Sequence, residues 1–262
     1  MEKKKEKEYH ISLCKGDVGR YVLLTGDPGR TPLIAKSFDG VKEMAFNREY
    51  RTFTGNITGY DGEKIKISTT STGIGCPSTA IAIEELIKIG ADTFIKIGTA
   101  GSLQKEVLLG DIVISTAAVR EEGTTRQYIP LSYPAVANFD VTNALISAAK
   151  KLKIATHVGI SHCKDAFYSE GKSIKSLPIF THNEQMWAAW YRSNVLATSM
   201  ESAALFVVCS IRKVYAGEVL TVIGLTYSNQ PIIKKVGVEK AIKIAIESVK
   251  ILNQIRNEIL SA

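Results

Sequence analysis

The chain has 262 residues, 45% hydrophobic and 23% charged, a length and balance that allow a single α/β domain with a large core. No apolar run reaches the length of a membrane span, and the opening MEKKKEKEYH mixes both charges where a secretion signal needs an apolar stretch. The expectation is one cytosolic domain over 1–262, with residues 1–8 a flexible charged tail.

The net charge of +7 invites a nucleic-acid reading. Acidic residues interleave the basic ones throughout, however, and no aromatic-basic platform for single strands is present, so the charge reads as a soluble surface with a basic bias, with which a small anionic substrate is compatible. Cys14, Cys76, Cys163 and Cys209 form no CxxC pair and read as small buried or half-buried residues in a reducing compartment. His10, His157, His162 and His182 show no metal-ligand spacing, and no metal site is expected.

In chain order, Tyr21–Leu24 is a short apolar strand that runs into the turn Gly26-Asp27-Pro28-Gly29-Arg30. Arg51–Thr58 and Lys64–Thr70 alternate like strands about Asp61-Gly62, a hairpin pattern. Pro77 opens a helix that buries Ile81, Ile83, Leu86 and Ile87, with Gly90 as its stop. Thr93–Ile97 reads as a buried strand that ends in the turn Gly98–Gly101, and Asp111–Thr116 as another strand. A helix is expected over Phe139–Leu152, an extended segment over His157–Ser161 and a second helix over Glu184–Tyr191. A short strand at Ala197–Met200 precedes a helix at Glu201–Ile211, and Glu218–Thr226 is a strong apolar strand. Val238–Leu260 closes the chain as a long amphipathic helix. Strands that alternate with helices call for a sheet covered on both faces, and the hairpin makes that sheet mixed.

Ligands of open α/β sheets bind at the carboxyl ends of strands. Three glycine-rich segments fall at such ends: GDPGR at 26–30, STGIGCPS at 71–78 and GTAG at 98–101. Glycine lets the backbone approach a ligand and present N–H groups to an anion. None matches the Walker or dinucleotide patterns. With Arg30, Lys96 and Thr99 beside them, the three point to a small-anion site.

These motifs, with NREY (47–50), EELIKIGADTFIKIGTAGSLQ (84–104), GDIVISTAAVRE (110–121), YPAVANFD (133–140) and SMESAAL (199–205), resemble the uridine phosphorylase branch of the nucleoside phosphorylases nearly end to end. The resemblance implies a three-layer α/β/α fold around a mixed, partly barrel-like sheet. It implies dimers, usually assembled into hexamers, and phosphorolysis of a nucleoside with inorganic phosphate as co-substrate and no organic cofactor. Some members carry a monovalent cation at the interface. By position, Gly26, Arg30, Arg48, Lys96 and Thr99 would hold phosphate, with Arg48 reaching a neighbouring subunit's site. His10 would contact the ribose 5′-hydroxyl across the same interface. Met200 and Glu201 would hold the ribose, with Glu201 on its 2′ and 3′ hydroxyls. Phe167, Gly101, Lys172 and Thr226 would face the base. Arg48, Lys96 and Glu201 are the catalytic candidates.

Each residue also has a plainer reading. Arg30 and Arg48 are ordinary surface ion-pair residues when taken singly, and Glu201 at a helix start is a favourable charge there. The pattern also departs from the family. Lys96 stands where Arg is usual, and an ammonium lacks the two-pronged geometry of guanidinium. Ser199 replaces a Glu before Met-Glu. The Gln and Arg that read uracil after the FY pair are absent from FYSEGKSIKS, where Lys172 and Ser173 are the substitutes on offer. The strand end Gly224–Asn229 has neither the Arg of uracil-specific members nor the Asp of purine-specific ones, leaving Tyr227 and Asn229 as hydrogen-bonding candidates. Beside uridine phosphorolysis stand three alternatives: a purine nucleoside phosphorylase, a nucleosidase hydrolase and a catalytically impaired nucleoside-binding homologue.

Overall fold

One strand organises the molecule by changing neighbours along its length. In the computed structural model, which describes residues 6–169, 175, 177–226, 232 and 236–261, β5 (Thr93–Ser102) pairs in parallel with β10 (Tyr215–Leu225) along one entire edge. Its other edge pairs first with β1 (Tyr21–Thr25), as far as Lys96, and then with β9 (Ala197–Ser199), from Gly101 onwards. Residues 97–100 bridge this handover and have no strand partner on that side among the described residues. A crevice therefore opens at the carboxyl ends of β1 and β4 (Lys64–Ser71), where ligands of open α/β sheets bind.

The pairings β5–β10–β6–β8–β9–β5 close a small barrel, with β6 (Ile112–Glu121) antiparallel to β10 and β8 (Thr156–Lys164) parallel to β6. From β5 the sheet continues outward through β1, β4, β3 (Tyr50–Thr58) and β2 (Asp39–Asn47), and a two-residue β7 (Ala135–Val136) pairs with β6. Barrel and open sheet together make the mixed, partly closed sheet that the resemblance implies.

Helices cover both faces, as the two-sided burial of the strands requires. In β1, Val22 and Leu24 face α2 (Cys76–Lys88) and α5 (Ser202–Ile211), while Tyr21 and Leu23 face α1 (Thr31–Ala35), α3 (Phe139–Lys151) and α6 (Val238–Ser261). Ala203–Cys209 are all buried, which is why α5 lacks an amphipathic stripe. Inside the barrel, Ala100, Val113, Ala197, Leu220 and Val222 form a third, smaller core. α4 (Phe180–Arg192) is less enclosed and lies beside β8.

Three sequence expectations change. The GTAG segment is not a turn but the middle of β5, paired with β10 through Ser102. Gly98 permits this because a Cβ there would lie 2.6 Å from Leu220 Cδ2 and 3.1 Å from Lys96 Cε. β2, missed in the sequence, is a largely exposed edge strand held by β3 alone, so it carries no apolar alternation. Glu8, assigned to the tail, is fixed by its backbone bonds with Leu13 and Ser12 and by Lys88 Nζ at 3.2 Å. All four cysteines are buried thiols, as their isolation in the sequence suggested.

Gly98→Ala should lower stability by about 1–3 kcal/mol through overpacking. Chemical denaturation measures it, and an unchanged midpoint would show that Leu220 and Lys96 move aside freely.

Candidate active site

The crevice is built from four chain segments. β1 ends at Thr25, and the Asp27 carboxylate accepts from the Gly29 N–H at 2.8 Å to shape the turn that delivers Arg30 to the start of α1. Arg30 then folds back, its Nη1 donating to Thr25 Oγ1 at 3.1 Å and to the Ile97 carbonyl at 3.4 Å, on the unpaired edge of β5. Burial pulls the pKa of this guanidinium down, and the negative charges of Asp27 and Glu201 oppose the shift. Gly26 lies against Gly73, where a Cβ would approach the Gly73 carbonyl to 3.1 Å.

From the second side comes the turn after β4. Gly75, at φ 102°, takes a conformation that L side chains rarely adopt, and its N–H donates to Glu201 Oε1 at 2.8 Å. Glu201 sits at the start of α5 but makes no side-chain cap to its own helix. Its carboxylate is held by the Gly75 amide and by Lys96 Nζ at 2.9 Å. The plainer reading of Glu201 as a helix-start charge is therefore incomplete: the side chain is directed across the crevice.

Lys96 is 3% exposed, and its ammonium lies between two carboxylates, Glu201 and Glu218, the latter at 2.7 Å. Burial pushes the lysine pKa down, but the two anions outweigh it and hold it above the ordinary value. Glu218 is fully buried on β10 directly opposite Lys96, and it also accepts from Ser115 Oγ at 2.6 Å and Ser202 Oγ at 2.7 Å. Ser199 joins the chain through a hydrogen bond to the Ser202 hydroxyl. Lys96 was expected at the phosphate. A buried ammonium must be matched by anions, and here two come from the protein, which ties Lys96 to the orientation of Glu201. Glu218 escaped sequence reading because it stands inside an apolar strand. The signal was the pair of departures, Lys for Arg at 96 and Ser for Glu at 199, which Glu218 complements.

Other sequence candidates fall into three groups. Thr99 stands on β5 two residues beyond the carbonyl that Arg30 contacts, and Met200 immediately precedes Glu201, its carbonyl accepting from Cys76 Sγ at 3.3 Å. His10 and Arg48 lie elsewhere, on an outer surface: the Arg48 guanidinium is 5.7 Å from the centre of the Tyr9 ring, and His10 Nδ1 is 2.6 Å from Glu85 Oε1. At the far end of the crevice, Gly101 is flanked by Thr198 and Thr226, with Phe167 in a short 3-10 turn beyond β8. Lys172, Ser173, Tyr227 and Asn229 lie outside the described residues.

A further polar cluster lies beside Thr198. His162, 1% exposed, contacts Thr198 Oγ1 through Nδ1 at 3.1 Å and Glu121 through Nε2, and Trp190 Nε1 donates to the same Glu121 oxygen at 3.0 Å. Burial pushes the Glu121 carboxyl up, but His162 and Trp190 outweigh it and hold the group below the ordinary value of 4.5. Lys164, also buried, donates to Thr198 Oγ1 at 3.3 Å. Nothing in the sequence singled out His162 or Lys164, because alternation along β8 marks them only as inward-facing. A metal-capable group, Cys76 with Glu122 and Asp165, is present among the described residues. Its carboxylates already serve a turn, Glu122 on Thr125 and Asp165 on the Gly123 amide.

A closed barrel fused to an open sheet, with a guanidinium and a carboxylate at the handover strand, is the frame of an α/β enzyme acting on small polar substrates. Residues 20–255 match the family model of the phosphorylase superfamily, and the chain belongs to that family. It is 45% identical over 248 residues to the uridine phosphorylase of Treponema pallidum, covering 94% of each chain. Identity is also 45% to the uridine phosphorylase of Thermococcus kodakarensis, over 94% of this chain and 86% of the relative. The guanosine phosphorylase of Halorubrum lacusprofundi is 37% identical over 94% of this chain and 99% of its own. The crystal structure of uridine phosphorylase from Vibrio fischeri, complexed with 6-hydroxy-1-naphthoic acid, superposes with a TM-score of 0.79 at 31% identity, over 95% of this chain and 97% of that one.

Two predictions follow from these contacts. Lys96→Met strands two buried carboxylates and should cost about 3–5 kcal/mol. Adding Glu218→Met should recover part of that loss, with a coupling of about 0.5–3 kcal/mol in a double-mutant cycle; strict additivity would mean that the pair is not energetically linked. The depressed Glu121 pKa contributes stability that is present above pH 4.5 and lost as pH falls through the lower folded value. Denaturation between about pH 3 and pH 6 should therefore show wild type losing more stability than Glu121→Gln on the acid side.

Proposed function

We propose that this chain is a nucleoside phosphorylase that converts uridine, or a closely related nucleoside, and inorganic phosphate reversibly into free base and ribose 1-phosphate. The observation that carries this reading is the convergence of Arg30 and Glu201 beside β5 at Lys96 and Ile97, close enough for the carboxylate to act on the guanidinium. One group suits an oxyanion and the other a pair of sugar hydroxyls.

In the reaction the C1′–N bond breaks with its electron pair leaving on the base, and a phosphate oxygen forms the new bond to C1′. Arg30 and Thr99, with the backbone of the Gly26 turn, hold the phosphate, because a guanidinium fork donates two parallel bonds to such an anion. Glu201 fixes the ribose and places negative charge beside a carbon that becomes positive in the transition state. Holding both reactants in register supplies a share of the barrier reduction on the order of 7–11 kcal/mol. No covalent intermediate, metal or organic cofactor enters the scheme. Lys96 contributes by fixing the carboxylate.

Among the described residues His10 meets Glu85 and Arg48 meets the Tyr9 ring, away from this group, and their outward position supports a homodimer in which each completes the partner's site, with hexamers built from such dimers. A hydrolase reading is less favoured because Arg30 would have no anion to hold. No described helix is long and apolar enough to cross a membrane.

The decisive assay follows base release from uridine, thymidine, inosine and adenosine, each with and without phosphate. Phosphate-dependent release is expected, and release at equal rate without phosphate would transfer the chain to the hydrolases. Arg30→Ala should raise the KM for phosphate by about ten-fold or more while sparing nucleoside binding. Co-expressing Arg48→Ala with Glu201→Gln should restore activity that neither variant has alone, since mixed dimers then contain one intact site. No recovery would place Arg48 in its own subunit's site.

A further inference from the structure

Glu85 is a buried carboxylate for which the scheme above has no use. It lies on the inward side of α2 with Ala82, Ile83 and Leu86, and among the described residues its only ion-pair partner is His10. A carboxylate taken from water must be matched by donors, and here consecutive residues of the amino-terminal segment provide them. The His10 amide donates to both oxygens, at 3.2 and 3.0 Å, and the Ile11 amide to Oε2 at 2.9 Å. Ring Nδ1 of His10 lies 2.6 Å from Oε1.

The same histidine is fastened from a second side. Its carbonyl accepts from Asn47 Nδ2 at 2.7 Å, and Asn47 directly precedes Arg48, which takes a left-handed φ of 52° and holds its guanidinium over the Tyr9 ring. Tyr50 meets the imidazole edge-on, with ring centres 6.5 Å apart. His10 and Arg48 thus belong to one hydrogen-bonded unit and are not carried on a free tail. The His10 side chain is 30% exposed, and no described residue hydrogen-bonds to its Nε2, so this is the nitrogen left for a ligand.

A carboxylate only accepts, and two backbone amides already point their hydrogens at this one. The hydrogen of a neutral His10 ring then belongs on Nδ1, which leaves a lone pair on Nε2. We propose that Glu85 is a positioning residue that sets this tautomer, so that His10 meets the partner's nucleoside as an acceptor and selects a 5′ substituent able to donate. This rests on the two-subunit nucleoside reading given above and deepens it from a contact to a polarity. A 5′-hydroxyl is taken, whereas a 5′ group that only accepts, such as a fluorine or a phosphate, faces a lone pair.

Glu85→Gln separates this role from simple support of the segment. The side chain keeps its length, but its oxygen is needed by the two backbone amides, so its NH2 turns towards Nδ1 and the ring hydrogen moves to Nε2. The first readout is the nitrogen NMR signature of His10 in histidine-labelled full-length protein, identified by its loss in His10→Gln and read at the alkaline plateau of the titration. Wild type and Glu85→Asp should carry the hydrogen on Nδ1, and Glu85→Gln on Nε2. The second readout is kcat/KM for uridine against 5′-deoxy-5′-fluorouridine, whose fluorine is close to a hydroxyl in size. Wild type should favour uridine by about ten-fold or more. In Glu85→Gln that preference should narrow several-fold while the KM for phosphate stays, and in Glu85→Asp it should persist. Hydrogen on Nε2 in wild type, or an unchanged tautomer in Glu85→Gln, overturns the proposal whether or not any nucleoside is turned over. An inverted tautomer with an unchanged preference overturns the selection of the 5′ group. If no nucleoside is phosphorolysed while the tautomers behave as expected, the reaction reading fails and the positioning of His10 by Glu85 stands.

Discussion

A lysine placed between two glutamates in the interior is the constraint on which the candidate site depends. Removing three charges from water is unfavourable, and the arrangement survives because every partner is satisfied: Glu218 by two serine hydroxyls as well as the ammonium, Glu201 by a backbone amide. What this arrangement confers is direction. Glu201 has no freedom to turn back on its own helix or out to solvent, since two strong donors from different segments fix both of its oxygens. The alignment is set by the extensively paired strands β5 and β10 on one side, through Lys96 and Glu218, and by the Gly75 turn on the other.

The same pairing explains where the crevice lies. A strand with one partner throughout would leave no opening at mid-length, and a strand that simply ended would expose its terminus to solvent. β5 does neither. By handing its free edge from β1 to β9, it leaves the Ile97 carbonyl without a strand partner inside the fold, and Arg30 donates to it. Glycine at 98 keeps this stretch narrow enough for Lys96 and Leu220 to pass beside it.

Much of this was legible in the sequence, for identifiable reasons. Tyr21–Leu24, the 51–70 hairpin, the helix from Pro77 and the terminal amphipathic helix each carry a local pattern that tertiary context only reinforces. GTAG misled because glycine-rich runs usually turn, whereas here glycine serves close packing inside a strand. β2 carried no pattern because an exposed edge needs none. The motifs brought Gly26, Arg30, Thr99, Met200 and Glu201 to one crevice by family likeness. The motif position of Lys96 suggested phosphate, and the sequence could not show that Glu218, more than a hundred residues away, stands opposite it. Lys164 and His162 were invisible for a similar reason: their meaning comes from Thr198 on a neighbouring strand.

The charges around the crevice have a consequence for assembly. Arg30 and Lys96 contribute two positive charges, and Glu201 and Glu218 two negative ones, with Asp27 adding a third negative charge nearby. A single subunit thus offers an incoming dianion no surplus of attraction, only well-placed donors. If Arg48 arrives from a second copy, as proposed, the electrostatic pull on the anion becomes a property of the dimer, and dilution to monomers would weaken phosphate capture before it disturbed the fold.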